Sequence, residues 1–160
     1  MGNTSPVLCL SLLLELFPDA KFIHIHRNPY AVFPSTLKMY KKMFPYFYLQ
    51  QPKVEPIEFI LETYKKMYQK FFEEKGLIPK ENFIEISYQD LTQSPFATIR
   101  KIYTELDLPG FQQSKEDIKA YIASQRNYRV NKHTLSDAMK ERITKEWHFT
   151  INHWGYSEKS

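Results

Sequence analysis

The sequence predicts an α/β fold with a parallel sheet flanked by helices. Two short β-rich runs, Lys21–His26 and Phe83–Ser87, are separated and followed by segments of helical period. The first run has few polar breaks, as in a strand covered on both faces. Strands alternating with helices predict parallel pairing, although two strands are few for a sheet of this class.

Each element has its local cause. Leu8–Phe17 reads as a helix stopped by Pro18. After the first strand, Pro29 suits a first helical turn, and a helix is predicted from about Tyr30 to Lys42. Pro34 conflicts with it and predicts a kink or a place in the first turn. Phe44–Pro56, with three prolines and several rings, reads as an irregular flap. Pro56–Lys75 is amphipathic, with Ile57, Ile60, Leu61, Tyr64, Tyr68, Phe71 and Phe72 on one face and Gly76 as its expected C-terminal cap. Ser94-Pro95 predicts a capped helix start whose apolar face is Ile99, Ile102, Tyr103 and Leu106. Ser114 with Asp117 resembles a capping box that opens a short helix to about Ser124. Ser136 is expected to cap the last helix, which carries Trp147, before the chain closes at Trp154-Gly155-Tyr156.

At 160 residues the chain fits one domain spanning 1–160, with no repeat and no Gly/Ser linker. Apolar residues make up 42% and charged residues 25%, which excludes a disordered chain. The net charge of +4 favours anionic partners without choosing among them. Cys9 stands alone, so there is no internal disulfide and no thiolate metal cluster. His24 and His26 share a strand face at a spacing zinc could use, but no third ligand is near, and no metal is expected. Val7–Phe17 is too short to cross a bilayer and contains Glu15. It also lacks the flanks of a signal peptide, and Pro6 occupies the hydroxyl position of the Met1-Gly2 myristoylation pattern. The chain reads as soluble and cytoplasmic, with no membrane partner.

The chemistry concentrates at Phe22–Ser35. A strand runs into Arg27-Asn28-Pro29, and Ser35 follows eight residues after the arginine on the next helix. Planar paired donors from Arg27, a hydroxyl from Ser35 and free backbone N–H groups at the helix start together suit a tetrahedral anion. A structural alternative is a buried strand and turn with Arg27 paired to a carboxylate.

The block Phe17-Pro18-Asp19-Ala20-Lys21-Phe22-Ile23-His24-Ile25-His26-Arg27-Asn28-Pro29 resembles the 3′-phosphate-binding segment of sulfotransferases that use 3′-phosphoadenosine-5′-phosphosulfate, of the bacterial type. The resemblance implies that Arg27 and Ser35 hold the 3′-phosphate. Phe83-Ile84-Glu85-Ile86-Ser87-Tyr88-Gln89-Asp90-Leu91 resembles the family's strand ending in Tyr-Glu-Asp-Leu, with Gln89 departing from it. It implies that Tyr88 meets the adenine and that Asp90 and Leu91 turn the chain into the next helix; packing at a strand end is the bland alternative. The basic segment Gln125–Leu135 is similar to a late loop that closes over the 3′-phosphate. It makes Arg129 and Lys132 the counterparts, with Arg126 third, although the family's Arg-Lys-Gly pattern is not reproduced. The Trp154-Gly155-Tyr156 ending also resembles the family and is expected to pack.

The resemblance runs from about Leu12 to Tyr156 and implies a P-loop-NTPase-like sheet, incomplete at its N-terminus. No Gly-rich, Lys-bearing phosphosulfate loop is legible, and residues 1–20 contain no His, Lys or Arg to supply it or a catalytic base. The expectation is a sulfotransferase-family chain that retains mainly the adenosine 3′-phosphate half-site. The implied reaction moves a sulfuryl group from 3′-phosphoadenosine-5′-phosphosulfate to a hydroxyl or amine of a small-molecule or carbohydrate acceptor. That acceptor is expected near Lys38–Gln51, among Tyr40, Phe44, Tyr46, Phe47 and Tyr48. Two other readings compete: a non-catalytic nucleotide-binding module, and a basic RNA-binding domain. The second is disfavoured because the rings of Tyr64–Phe72 fall at helical spacing, so no nucleic-acid partner is expected.

Overall fold

The computed structural model describes residues 10–43, 46, 55–125 and 134–158. In chain order the elements are α1 (Leu10–Leu16), β1 (Phe22–His26), α2 (Pro29–Met43), α3 (Pro56–Glu74), β2 (Phe83–Ser87), α4 (Tyr88–Gln93), α5 (Pro95–Glu105), α6 (Phe111–Ser124) and α7 (Asp137–Trp154). They divide into two compact units. One holds α2, α3 up to Glu73, and α7; the other holds α1, β1, β2, α4, α5 and α6.

The sheet unit contains, among the described residues, one parallel pair, β1 beside β2, in a register that sets Ile23 against Ile84, Ile25 against Ile86 and His26 against Ser87. Cross-strand partners in a parallel pair share a face, so the four isoleucines lie on one side. On the β2 half, Ile84 and Ile86 are buried with Ile102 and Leu106 of α5. On the β1 half, Ile23 and Ile25 are 44% and 47% exposed. The expectation that β1 is covered on both faces is therefore not met, because α5 screens only the β2 side. The buried Glu74 carboxylate serves the start of α1, accepting from the Leu10 amide at 2.9 Å and from the Ser11 hydroxyl at 3.2 Å.

The helical unit is built around Trp147, fully buried on α7 with Phe33, Ile60, Leu61, Tyr64, Ile143 and Ile151. Its indole Nε1 donates to the Leu61 carbonyl at 3.1 Å, and its ring stacks on Tyr64 at 3.7 Å between centroids. Thr150 donates to the Trp147 carbonyl and accepts from the Tyr64 hydroxyl. That back-bond accompanies a kink at Trp147, where φ is −115°. Burial pushes the Tyr64 hydroxyl pKa above its ordinary value. The buried Tyr64 and Phe71 bear out the reading of these rings as core.

Helix α2 runs on through Pro34, its buried sixth residue, so the proline lies beyond the first turn in which it was expected. Other local expectations hold. Ser136 Oγ accepts from the Met139 amide at the head of α7, and Gly155, at φ +65°, ends it, with the Tyr156 amide bonded back to Ile151. Others are corrected. Helix α3 ends at Glu74, and Gly76 lies inside a tight 3₁₀ turn, Lys75–Leu77, instead of serving as a left-handed cap. Ser94 makes no side-chain cap; its carbonyl instead accepts from the Thr98 hydroxyl. Helix α6 starts at Phe111 behind left-handed Gly110, so Ser114 sits within the helix, not before it. Glycine gives that start the positive φ of +87° that a serine resists.

Candidate functional site

Open parallel sheets present ligand sites beyond the carboxyl ends of their strands, where the chain turns away into helices. Here the last registered pair is His26 and Ser87, so the next residues on the two strands are Arg27 and Tyr88. The structure brings these together: the Arg27 guanidinium carbon lies 4.5 Å from the centroid of the Tyr88 ring. Both are half-buried. A guanidinium seated over a ring keeps N–H donors for an anion, because the contact with the π face does not use up its hydrogen-bonding capacity.

Tyr88 is held by a device the sequence reading did not name. It is the first residue of α4, because Ser87 Oγ accepts from the Asp90 amide at 2.9 Å and turns the chain directly from β2 into a helix. Asp90 and Leu91, expected to form a turn, belong to that helix. The spacing Ser-x-x-Asp at 87–90 was the available signal.

A second missed group lies on the opposite sheet face from the isoleucines. Glu85 faces His24 across the pair, with Oε1 at 3.2 Å from His24 Nδ1 and Oε2 at 3.2 Å from Lys75 Nζ. Burial alone would raise the Glu85 pKa, but the hydrogen bonds and charge of His24 and Lys75 outweigh it and hold the pKa at about 2. A lone glutamate in the otherwise apolar Phe83–Ile86 was the clue. His24 and His26 rings lie 6.2 Å apart. Among the described residues no group of three or more His, Cys, Asp or Glu could hold a metal ion.

The head of α2 departs from expectation. Pro29 has no N–H, the Tyr30 amide donates to Asn28 Oδ1 at 2.9 Å, and the Ala31 and Val32 amides donate to the Asn28 carbonyl. The free backbone donors expected at this helix start are therefore already engaged. Asn28, buried and tied through Nδ2 to the Ser157 carbonyl at 3.0 Å, acts as a structural cap. An anion here must be held by side chains. Ser35 is half-buried on α2 within the helical unit, whereas Arg27 and Tyr88 belong to the sheet unit. Arg129 and Lys132 lie outside the described residues, as do Arg126 and the flap rings Phe44, Phe47 and Tyr48. Tyr40 packs beside Phe59 at 5.6 Å, and Tyr46 is exposed. No described helix is long and apolar enough to cross a membrane.

Comparisons with known proteins agree with this architecture. A model of the sulfotransferase family matches residues 3–113. The omega-hydroxy-beta-dihydromenaquinone-9 sulfotransferases of Mycobacterium bovis and Mycobacterium tuberculosis are each 33% identical to the chain over 157 residues, covering 98% of it and 40% of their own length. The chain thus spans about 40% of these curated relatives. The crystal structure of sulfotransferase STF9 from Mycobacterium avium superposes with a TM-score of 0.72 at 18% identity, over 90% of this chain and 38% of that one, which is a likeness of fold. By the family match over most of its length and by its identity to curated members, the chain belongs to the sulfotransferase family.

Proposed function

We propose that the chain forms the adenosine 3′-phosphate half of a site for sulfuryl transfer from 3′-phosphoadenosine-5′-phosphosulfate to an acceptor hydroxyl or amine. The observation that carries the reading is the pairing of Arg27 with Tyr88 at adjacent strand ends, the place where this sheet class takes ligands. Arg27 offers its in-plane donors to the 3′-phosphate, and Ser35, eight residues on, adds a hydroxyl. One face of Tyr88 is occupied by Arg27, so the adenine is left the opposite face or the hydroxyl. Arg129 and Lys132 add positive charge over the same phosphate. The donor supplies a sulfuryl group whose bond to the nucleotide oxygen breaks as the acceptor oxygen or nitrogen bonds to sulfur and gives up its proton to a base. That base and the residues gripping the phosphosulfate are not assigned to this chain. The relatives' names point to a hydroxyl on a small, apolar acceptor.

Calorimetric titration with adenosine 3′,5′-bisphosphate and adenosine 5′-monophosphate tests this reading. The bisphosphate should bind at least tenfold tighter, as one charge-assisted phosphate contact contributes about 1.5–3 kcal/mol. Equal affinities would refute it.

A further inference from the structure

Helix α4, which carries Tyr88, is not held in place by packing. It has six residues, none of them fully buried, and a helix of that length is marginal alone. Its position comes from hydroxyl groups of the sheet unit on either side of it. Ser87 Oγ accepts from the Asp90 amide at 2.9 Å where β2 ends. From α5, the Thr98 hydroxyl donates to the Asp90 carbonyl at 3.1 Å, sharing its one proton with the Ser94 carbonyl at 3.0 Å. Thr98 is buried one turn before Ile102, on the stripe of α5 that covers Ile84 and Ile86. That apolar stripe thus ends in a hydroxyl where β2 gives way to α4. A threonine that simply bonds back along its own helix accounts for the Ser94 contact and not for the Asp90 one. Neither carbonyl needs the hydroxyl, since Asp90 O accepts from the Ser94 amide at 2.9 Å and Ser94 O from the Thr98 amide at 3.0 Å. What the hydroxyl adds, and a valine of the same shape would not, is a tie between α4 and α5.

We infer that Thr98 is a positioning residue for the strand-end site: by holding the Asp90 carbonyl it fixes α4 on α5, and so sets the Tyr88 ring centroid 4.5 Å from the Arg27 guanidinium carbon. Asp90 lies two residues along α4 from Tyr88, so a shift of that carbonyl carries the ring with it. A cation–π contact tolerates a range of distances, and the pair needs an outside constraint to keep one geometry. The consequence for nucleotide binding rests on the half-site proposed above; the consequence for the Arg27–Tyr88 pair does not.

The test uses the whole chain and two readouts. The side-chain Nε–H resonance of Arg27, assigned by its loss in Arg27→Lys, senses the ring current of Tyr88, and Tyr88→Leu gives its position without the ring. Thr98→Val should move the resonance at least halfway to that position, while Thr98→Ser, which keeps the hydroxyl, should leave it at the parental one. In calorimetry, Thr98→Val should weaken adenosine 3′,5′-bisphosphate about three- to thirtyfold, the span of a lost cation–π contact, and Thr98→Ser should restore it. In the Tyr88→Leu background, Thr98→Val should change that affinity by less than about twofold, because the residue it acts through is gone. The inference is overturned by a resonance that Thr98→Val leaves in place or that Thr98→Ser moves as far. An equal loss of affinity in the Tyr88→Leu background, or a Thr98→Val chain that no longer folds, would overturn it too. A resonance that moves as stated in a chain that binds neither nucleotide would support the positioning role and count against the nucleotide half-site alone.

Discussion

Tyr88 does two things at once, and its substitution should show both. The ring fixes Arg27 through a cation–π contact worth about 0.5–2 kcal/mol, and in the proposed site it offers its remaining surface to the adenine. Tyr88→Ala should weaken adenosine 5′-monophosphate and the bisphosphate alike by about 1–2 kcal/mol, with a further loss for the bisphosphate because Arg27 is no longer held. Calorimetry with both nucleotides checks this, and a loss confined to the monophosphate would contradict it. Glu85 is a residue of stability. Its pKa is held at about 2 in the folded chain against an ordinary 4.5. A depressed carboxylate contributes stability that is complete above the ordinary value and lost as pH falls toward the folded one. Glu85→Gln should therefore cost about 1–3 kcal/mol near neutrality. The gap between variant and parent in urea melts should close as pH drops from about 4.5 to about 2. A gap that widened in acid would show that His24 and Lys75 do not hold the carboxylate.

At the scale of elements, α7 depends on Trp147 more than on propensity. Its indole is fully buried, stacked on Tyr64 and hydrogen-bonded to Leu61. Trp147→Ala should cost about 3–5 kcal/mol, and Trp147→Phe less, since a ring still fills part of the site. Denaturant melts that gave the two variants equal stability would contradict this packing account. The elements also show where sequence pattern is sufficient. β2 was legible to the residue, because an apolar β-rich run bounded by polar residues has few other solutions. Helix α3 was legible because its stripe of rings recurs at helical spacing. Caps were not. Ser87, Ser94 and Ser114 are the same residue type, and only Ser87 caps; the choice was made by where β2 releases the chain and by the left-handed Gly110. The strand-end placement of Arg27 could be read from Arg-Asn-Pro after an apolar run. Its position over the Tyr88 ring could not, since it depends on the parallel register of strands about sixty residues apart.

On the scale of the whole molecule, the described sheet has two strands, fewer than a parallel sheet normally needs for independent stability. The β1 side shows the consequence in Ile23 and Ile25, and α1 with the residue after it adds exposed Leu12, Leu13, Leu16 and Phe17. The isolated chain should self-associate through this apolar surface. Replacing Ile23 and Ile25 with lysine should reduce association in sedimentation velocity at a folding cost within about 1 kcal/mol, because neither side chain is buried. Unchanged association would move the sticky surface elsewhere.

The central claim is that Arg27 reads the 3′-phosphate. Its most direct test is the ratio of affinities for adenosine 3′,5′-bisphosphate and adenosine 5′-monophosphate, measured by calorimetry for the parent chain and for Arg27→Ala. The parent should prefer the bisphosphate, and the variant should lose about tenfold to a hundredfold of bisphosphate affinity with little change for the monophosphate, bringing the ratio near one. A variant that kept the parent's preference would contradict the assignment of Arg27 to the phosphate.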